Sequence, residues 1–503
     1  MSVQIMQARE IKTRNYVAYG LTDILGAGSM AVISGWLIFF YTTFCGLSAV
    51  QAASIFAIAR IMDAIASPLI GHISDNLNKT RLGRRFGRRR VFFLIAIPLL
   101  PSFSLMWING QEYFYYLFTF MFFELVYTSV LVPYETLAAE MTDDYAKKAK
   151  FAGARILVGQ ISAIFAGILP AWIVNYVGSK EDANTFLIMS IIFTIAFMLV
   201  VGIVYLFTWE REAVAEASEE TGEQKISALA SLKMVFVNLS STLRIRAFRL
   251  HLGMYLGGYI SQDIFNATFT YFIVFALGGS VVIASSLIAN TYIAQLFAVA
   301  IAIALIIRVG PALTYRIAVC FYIAGILSLL TLFLSFAEFP PMHFLIIAIV
   351  FAGLGRGALN YIPWNVYNYM ADVDQIVTAK RREGSLAGVM TFIRKTAQAI
   401  AVMSVGIVIE WGGFVSGETA QTSGAINTIA TVMTIGPLLM LMLGFFVAGR
   451  FKLNKETHEL LMKEIDHLKS GATAPSSEHS RIIVEDLSGW PYAKLWGRNS
   501  VGK

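Results

Sequence analysis

The sequence predicts an all-α membrane protein with twelve transmembrane helices in two bundles of six. Three observations predict this class. The chain of 503 residues is 57% hydrophobic and only 14% charged, whereas a soluble domain carries about 25% charged residues. Its apolar residues form long blocks, and about 20 apolar helical residues are needed to cross a bilayer core. One long polar segment divides these blocks into two sets of six.

The predicted spans define four regions of the chain. The first six spans cover residues 17–42, 49–74, 91–109, 113–140, 152–177 and 185–208. The second six cover residues 250–278, 281–307, 316–337, 343–370, 386–411 and 425–449. We therefore expect an N-terminal bundle over 1–209, a cytoplasmic linker over 210–249, a C-terminal bundle over 250–449 and a cytoplasmic tail over 450–503. The tail should begin with an amphipathic helix, "NKETHELLMKEIDHLK", then lose its periodicity through "SGATAPSSEHS", and it shows no chemistry of its own.

The loops between the spans predict the orientation. Loops after even-numbered spans are basic, as in residues 81–90, 147–150 and 380–382, whereas Lys180 is the one clear basic residue in the alternate loops. Basic loops remain on the cytoplasmic side. Both termini of this inner-membrane protein are therefore predicted to be cytoplasmic. The net charge of +7 is assigned to that face and not to nucleic-acid binding.

Two similar segments end corresponding spans of the two halves. "VPYETLAAEMTDD" at 132–144 ends span four, and "IPWNVYNYMADVD" at 362–374 ends span ten. Each has Pro with an aromatic residue and then Met-x-Asp. Parallel repeats would place similar segments at such matching positions. With the six-plus-six pattern, they predict a major facilitator fold.

Eight ionisable residues are predicted at membrane depth, where such groups are costly and mark functional sites by default. They are Asp23, Arg60, Asp63, Glu124, Arg155, Asp263, Arg356 and Lys395. Arg60 and Asp63 share a helix face and can neutralise each other. This pair suits either a structural ion pair or a central cavity. Glu124 has no obvious partner nearby in sequence, which suits a proton carrier and equally a neutral, hydrogen-bonded acid.

Three basic residues indicate the chemistry of a substrate. Arg155, Arg356 and Lys395, if they face one cavity, favour a carboxylate, sulfonate or phosphate group. Arg155 could instead extend to the cytoplasmic surface. Aromatic residues such as Tyr127 and Trp364 offer flat faces for sugar rings, although aromatic residues are also common in helix bundles.

Other functional classes lack their motifs in this sequence. There is no Walker P-loop, no Cys/His metal spacing and no G-x-S-x-G elbow. A membrane sensor should add a signalling domain, and a lipid-acting enzyme should bring a nucleophile–base or metal constellation. A transporter that is not an enzyme is therefore predicted, with the sensor and the enzyme as remote alternatives.

Six segments together resemble the glycoside–pentoside–hexuronide:cation symporter family of the major facilitator superfamily. They are "YGLTD" (19–23), "ARIMDAIASPLIGHISD" (59–75), "GRRFGRRR" (83–90), "VPYETLAAEMTDDY" (132–145), "YIPWNVYNYMADVDQ" (361–375) and "AKRREGSLAGVMTFIRK" (379–395). The resemblance covers all twelve spans. It implies import of a sugar or glycoside, driven by a proton or sodium gradient, through rocking of the two bundles. No cofactor beyond the coupling ion is expected, and the chain is expected to act as a monomer in the bilayer.

The resemblance also implies roles for single residues. Asp63 resembles the first aspartate of the family's cation and sugar site, and Tyr127 resembles a span-four tyrosine of the sugar site. Arg155 is similar to a span-five arginine near the sugar, and Lys395 to a span-eleven lysine at the cavity. Asp23 is a further candidate for cation coupling.

Three departures from the family pattern bear on the coupling ion. Where aspartates occur in the family, this chain has Ala27, Ser67 and Leu131. Sodium needs several hard oxygen ligands. We therefore expect coupling to protons through Asp63 or Glu124, or weak coupling, with sodium as the alternative.

Arg356 is a fourth departure, an added cation in the cavity region. It favours an acidic saccharide such as a glucuronide, a sulfonated sugar or an oligogalacturonide. The alternative is a carrier of neutral glycosides in which Arg356 pairs with an acid such as Glu124 or Asp263. The predicted substrate-binding residues are Arg60, Asp63, Tyr127, Arg155, Arg356, Trp364 and Lys395, and the predicted cation-coupling residues are Asp23, Asp63 and Glu124.

Overall fold

The computed structural model describes residues 10–142, 144–177, 182–210, 237, 240–380 and 382–499. In these residues, twelve helical stretches, α1 to α12, lie at the positions of the twelve predicted spans. The first six are Thr13–Thr43, Ala49–Asn76, Arg90–Leu105, Tyr113–Met141, Tyr145–Trp172 and Ala183–Phe207. The second six are Arg246–Tyr271, Val281–Val309, Pro311–Ser335, Met342–Thr378, Glu383–Trp411 and Ser423–Gly449. No described residue lies in a β-strand, so the prediction of an all-α membrane protein is confirmed.

Ten of these described helices are long and apolar enough to cross a membrane. The other two are α3 and α7. Pro98 and Pro101 interrupt α3, because proline has no amide hydrogen for the helix ladder; the helix consists of Arg90–Ala96, a 3₁₀ turn and Ser102–Leu105. Helix α7 is less apolar because it carries polar residues along its length, and one of them, Asp263, belongs to the site described below.

The two halves pack against each other through close helix contacts at small residues. A Cβ atom on Gly406 of α11 would lie 2.4 Å from the Cβ atom of Ala53 on α2. A Cβ atom on Gly167 of α5 would lie 2.7 Å from the backbone nitrogen of Ala289 on α8. Small residues allow helix backbones to approach closely inside a membrane. The interface between the halves therefore runs along α2 with α11 and along α5 with α8.

Hydrogen bonds close one end of this interface, where α1 ends and α2 begins. The carboxylate Oε2 of Glu410 on α11 accepts a bond of 2.7 Å from the backbone N–H of Val50 on α2. The backbone N–H of Gly417 donates to the carbonyl oxygen of Thr42 at 3.0 Å. The Thr42 hydroxyl also lies 2.5 Å from the Tyr271 hydroxyl on α7. Each bond joins the N-terminal half to the C-terminal half.

The structure describes both ends of the predicted linker, 210–249. Glu210 accepts bonds from the backbone N–H groups of Arg89 at 2.8 Å and Arg90 at 2.6 Å, and so caps the start of α3. Helix α7 begins at Arg246, so residues 246–249 belong to the C-terminal half. Residues 211–236 and 238–239 of the linker lie outside the described residues, as does the loop residue Lys180.

The tail has more regular structure than the sequence predicts. The expected amphipathic helix is α13, Lys455–Lys469, but a second helix, α14, follows at Glu478–Ser488. The predicted loss of periodicity through "SGATAPSSEHS" holds for residues 470–477, which lie in no helix. Residues 478–480 already belong to α14, which Ser477 caps by accepting a bond from the N–H of Ser480. Further along, the N–H groups of Trp496 and Gly497 donate to the carbonyls of Ile376 and Val377 at 2.8 and 2.9 Å. The tail thereby caps the end of α10.

Candidate substrate and coupling site

Two helices of the N-terminal half carry a buried charge cluster. Nη1 of Arg60 on α2 donates to both carboxylate oxygens of Glu124 on α4, at 3.1 Å each, and to Oδ2 of Asp63 at 3.3 Å. Asp63 and Glu124 are fully buried. The predicted pairing of Arg60 with Asp63 is present. Glu124, which has no obvious partner in the sequence, also pairs with Arg60, because α2 and α4 lie side by side.

Lys395 joins this cluster from the other half. Its Nζ atom lies 2.8 Å from Oδ2 of Asp63 and donates to the Ser67 hydroxyl at 2.7 Å. The other carboxylate oxygen of Asp63, Oδ1, accepts bonds from the hydroxyls of Thr128 and Ser67. Both oxygens of Asp63 are therefore already bonded, and two of the donors are cationic.

Gln398 connects this cluster to a second ion pair in the C-terminal half. Its side-chain oxygen accepts a bond of 3.1 Å from Nε of Arg60, and its Nε2 donates to Oδ1 of Asp263 at 3.0 Å. Asp263 on α7 also accepts two bonds from Arg394 on α11, at 2.6 and 2.8 Å. The guanidinium carbon of Arg394 lies 4.9 Å from the ring centroid of Tyr259. Three cations and three carboxylates thus form one network with no net charge.

Sequence reasoning missed two members of this network, Arg394 and Gln398. Arg394 lies in the quoted segment "AKRREGSLAGVMTFIRK", one residue before Lys395, and Gln398 lies beyond that segment on α11, three residues after Lys395. Residues three or four apart share a helix face, so this spacing could have indicated Gln398. The spacing within α11 does not reveal their partners, because Arg60 and Asp263 lie on other helices.

Arg356 lies outside this balanced network. Its Nη2 donates to the side-chain oxygen of Asn266 at 2.7 Å, and its Nε donates to that of Gln262 at 3.4 Å. The guanidinium carbon also lies 4.9 Å from the ring centroid of Phe265. Arg356 is 3% exposed. It forms no ion pair with any described residue, and Asp263 pairs with Arg394 instead. The predicted alternative in which Glu124 or Asp263 neutralises Arg356 is therefore wrong.

A small pocket lies beside the Arg356 guanidinium, between the two halves. Helix α1 contributes Gly35, and α7, α8 and α10 contribute most of the remaining wall. Lining residues include Gly35, Asn266, Phe269, Ile288, Tyr292 and Arg356. Its free space holds about one water-sized group. The buried cation thus has an adjacent small space that is bounded by amide and aromatic groups.

The remaining predicted residues lie nearer the end opposite the closed one. Arg155 on α5 pairs with Asp23 of α1 at 3.2 Å and with Glu135 of α4 at 3.0 Å, so it is held between helices. Trp364 is 42% exposed and donates from its indole N–H to the Tyr259 hydroxyl at 3.0 Å.

Tyr127 lies between these residues and the charge cluster. It is partly buried, and its hydroxyl lies 3.5 Å from the carbonyl oxygen of Gly26. The structure therefore brings Arg60, Asp63, Glu124 and Lys395 into one cluster, whereas the Arg155–Asp23 pair forms another. Arg356 has a separate set of partners.

One motif quoted from the sequence has a local structural role. Arg381 in "AKRREG" lies outside the described residues. Arg382 donates to both carboxylate oxygens of Asp374, at 2.9 and 2.5 Å, and to the Ser241 hydroxyl at 3.0 Å. These bonds tie the end of α10 to the loop before α11 and to the segment before α7.

Comparison with known proteins places this architecture among transporters. Residues 18–455 match the family described as MFS/sugar transport protein. The glucuronide carrier protein homolog of Escherichia coli (strain K12) is 23% identical over 470 residues, which cover 92% of this chain and 97% of that protein. The isoprimeverose transporter of Lactiplantibacillus pentosus is 22% identical over 477 residues, which cover 91% of this chain and 92% of that protein.

Solved structures show the same fold. The nucleoside transporter NupG matches with a TM-score of 0.59 and 15% sequence identity, over 87% of this chain and 100% of NupG; that likeness concerns the fold alone. The prediction of a multi-pass transporter that is not an enzyme is confirmed, and so is the resemblance drawn from the six motifs. Because the match spans most of its length, the chain belongs to the MFS/sugar transport protein family.

Proposed function

We propose that this chain imports an acidic saccharide by proton symport across the inner membrane, as a monomer and without a cofactor other than the coupling ion. The observation that carries the proposal is the isolated charge of Arg356. A buried ion is costly unless an opposite charge compensates it. Amide oxygens and an aromatic face solvate this guanidinium but do not neutralise it. A substrate carboxylate or sulfonate would supply the missing negative charge.

The bonding of Asp63 supports protons over sodium. Sodium binding would require several free oxygen ligands around this carboxylate. Its oxygens already accept bonds from Thr128 and Ser67 and contact the cationic groups of Arg60 and Lys395. The ammonium group of Lys395 thus occupies the position beside Asp63 that a sodium ion would need.

Glu124 is the better proton carrier of the two predicted carboxylates. Asp63 has Lys395 as a second cationic partner, whereas Glu124 depends on Arg60, which it shares with Asp63. When the halves rock and Lys395 moves away from Asp63, the remaining cluster carries one excess negative charge. A proton on Glu124 would restore neutrality, which links proton uptake to the conformation.

The closed end supports one state of the transporter under the predicted orientation. With both termini cytoplasmic, the bonds from Glu410 to Val50 and from Gly417 to Thr42 close the periplasmic side. Trp364 and Arg155 then lie on the open, cytoplasmic side. This arrangement corresponds to an inward-facing state from which substrate would be released.

A second candidate is a carrier of neutral glycosides. The relative named for isoprimeverose favours it, because isoprimeverose carries no acid group. In that case the charge of Arg356 would serve packing between α7 and α10.

The test compares acidic and neutral saccharides in de-energised cells that overexpress the chain. Proton symport should alkalinise the medium when a glucuronide is added, with no sodium requirement. Arg356→Gln should lower glucuronide uptake at least about tenfold, the loss of about one charged hydrogen bond, and change neutral glycoside uptake little. Arg316→Gln is a matched control, since Arg316 contacts the Phe445 ring away from this site. Equal losses for both sugars would contradict the acidic substrate, and a sodium requirement would contradict proton coupling.

A further inference from the structure

The pocket beside Arg356 has one wall that comes from the opposite half of the protein. That wall is the backbone of Gly35 on α1. The carbonyl oxygen of Gly35 accepts a bond of 3.0 Å from the Thr270 hydroxyl on α7, which holds this backbone against the C-terminal half. At Gly35, the N-terminal half therefore lines the same pocket as the C-terminal half.

The absence of a side chain at Gly35 keeps this space open. A Cβ atom added there would have Ile288 Cδ1, at 3.9 Å, as its nearest neighbour outside its own helix. That distance is ordinary van der Waals contact, so alanine at this position fits without displacing the backbone. Packing alone therefore does not require glycine. The added methyl group would instead occupy the free space between Gly35 and Ile288.

The size and chemistry of the pocket indicate what it would hold. Arg356 supplies a planar guanidinium, which recognises carboxylates through paired hydrogen bonds. Asn266 holds that guanidinium in place through its side-chain oxygen. The space holds about one water-sized group, which is too small for a sugar ring and for a whole carboxylate or sulfonate. It can take one oxygen atom of an acid group that bonds to Arg356.

We propose that this pocket is the subsite for one oxygen of the substrate's acid group, and that Gly35 keeps the space beside Ile288 open for it. This inference rests on the proposed import of an acidic saccharide and places its acid group between Arg356 and Gly35. Because Gly35 and Arg356 belong to different halves, the bound oxygen contacts both of them. The acid group is then bound at the interface that rearranges during transport.

The experiment measures KM for a glucuronide, for the matching neutral glucoside and for a sulfonated analogue. Gly35→Ala should raise KM for the glucuronide at least about tenfold, the effect of about one lost charged hydrogen bond, and leave KM for the glucoside unchanged. Gly153→Ala is the matched control, because a Cβ atom at that helical glycine meets nothing within 4 Å. Transport of the neutral glucoside reports that each variant is folded.

A second substitution provides a rescue. Ile288→Val removes the atom nearest to the added methyl group, so the double variant Gly35→Ala/Ile288→Val should recover most of the glucuronide affinity. Gly35→Ala should raise KM for the sulfonated analogue as it does for the glucuronide, since either acid presents one oxygen to the pocket. Rescue together with an unchanged glucoside KM supports the subsite.

The outcomes separate the subsite from the proposed function. If the wild type prefers the glucuronide but Gly35→Ala leaves its KM unchanged, the subsite is overturned and the acidic substrate stands. If Gly35→Ala raises KM equally for all three sugars, Gly35 acts in packing and the subsite is again overturned. If the wild type transports the glucoside and not the glucuronide, both proposals fall.

Discussion

The ammonium group of Lys395 lies 2.8 Å from the carboxylate of Asp63, and this ion pair joins α11 of one half to α2 of the other. Removing one partner of a buried pair leaves an uncompensated charge. We therefore expect Lys395→Gln and Asp63→Asn each to reduce uptake strongly. The double variant should be little worse than either single one, with a coupling energy of about 0.5–3 kcal/mol in a double-mutant cycle. Uptake and thermal unfolding in detergent measure this energy, and Lys147→Gln, at an exposed lysine on α5, is the control. Strictly additive losses would contradict a direct pair.

If Glu124 carries the proton, replacing it should abolish proton coupling but leave substrate exchange across the membrane intact. Glu124→Gln keeps a hydrogen-bond acceptor for Arg60 but cannot gain or lose a proton. We expect sugar-dependent alkalinisation to disappear, while exchange of labelled for unlabelled substrate across vesicles remains. Glu112→Gln, at an exposed residue just before α4, should behave as the wild type. A persistent pH signal in Glu124→Gln would assign the proton to another group.

A substitution at Asn266 would place a carboxylate of the protein itself beside Arg356. Its side-chain oxygen already accepts a bond of 2.7 Å from Arg356, so Asn266→Asp would create an internal ion pair there. We expect acidic substrates to lose affinity at least about tenfold, consistent with a lost charged bond, while neutral glycosides keep theirs. Competition assays with both sugars test this. Asn427→Asp, on an exposed face of α12, controls for the added charge, and an unchanged preference for acids would contradict the proposed role of Arg356.

Glu410 should stabilise the closed end of the molecule. Its carboxylate accepts the N–H of Val50 in the first turn of α2, where an anion contributes about 0.3–2 kcal/mol. Glu410→Gln should therefore shift the population toward the state that is open at this end. Distances between spin labels at the exposed residues Gln111 and Trp411 would lengthen. Glu418→Gln, in an exposed loop, should leave these distances unchanged, and no shift in Glu410→Gln would show that this bond is dispensable.

The tail is expected to stabilise the C-terminal half. Truncation after Gly489 removes the bonds from Trp496 and Gly497 to the end of α10 and the bond from the Tyr492 hydroxyl to Glu464. Each such bond contributes about 0.5–1.5 kcal/mol, so the midpoint of thermal unfolding should fall. Lys463→Gln, at an exposed residue of α13, is the control and should leave the midpoint unchanged. Equal midpoints for the truncated chain and this control would show that the cap adds no stability.

Much of the architecture follows from the sequence because its causes are local. Blocks of apolar residues long enough for the bilayer core predict helices at all twelve positions. The position of a residue along a predicted span also follows from the local sequence. Every charged member of the central network except Arg394 could therefore be predicted to lie at membrane depth. The proline-interrupted α3 and the second tail helix differ from the prediction, although Pro98, Pro101 and Ser477 were visible in the sequence.

The pairing of the charges was decided by tertiary structure. Arg60 was expected to neutralise Asp63, but it also bonds Glu124, and Lys395 reaches Asp63 from the other half. Gln398 and Arg394 complete the network from α11. Helical spacing indicates which residues share one face of a helix. An ion pair between helices also depends on the neighbouring helix and on the face that this helix turns toward the charge. The sequence therefore determined that charges lie within the membrane, and only the packing of the two halves decided that Arg356 is the described deep cation left without a carboxylate.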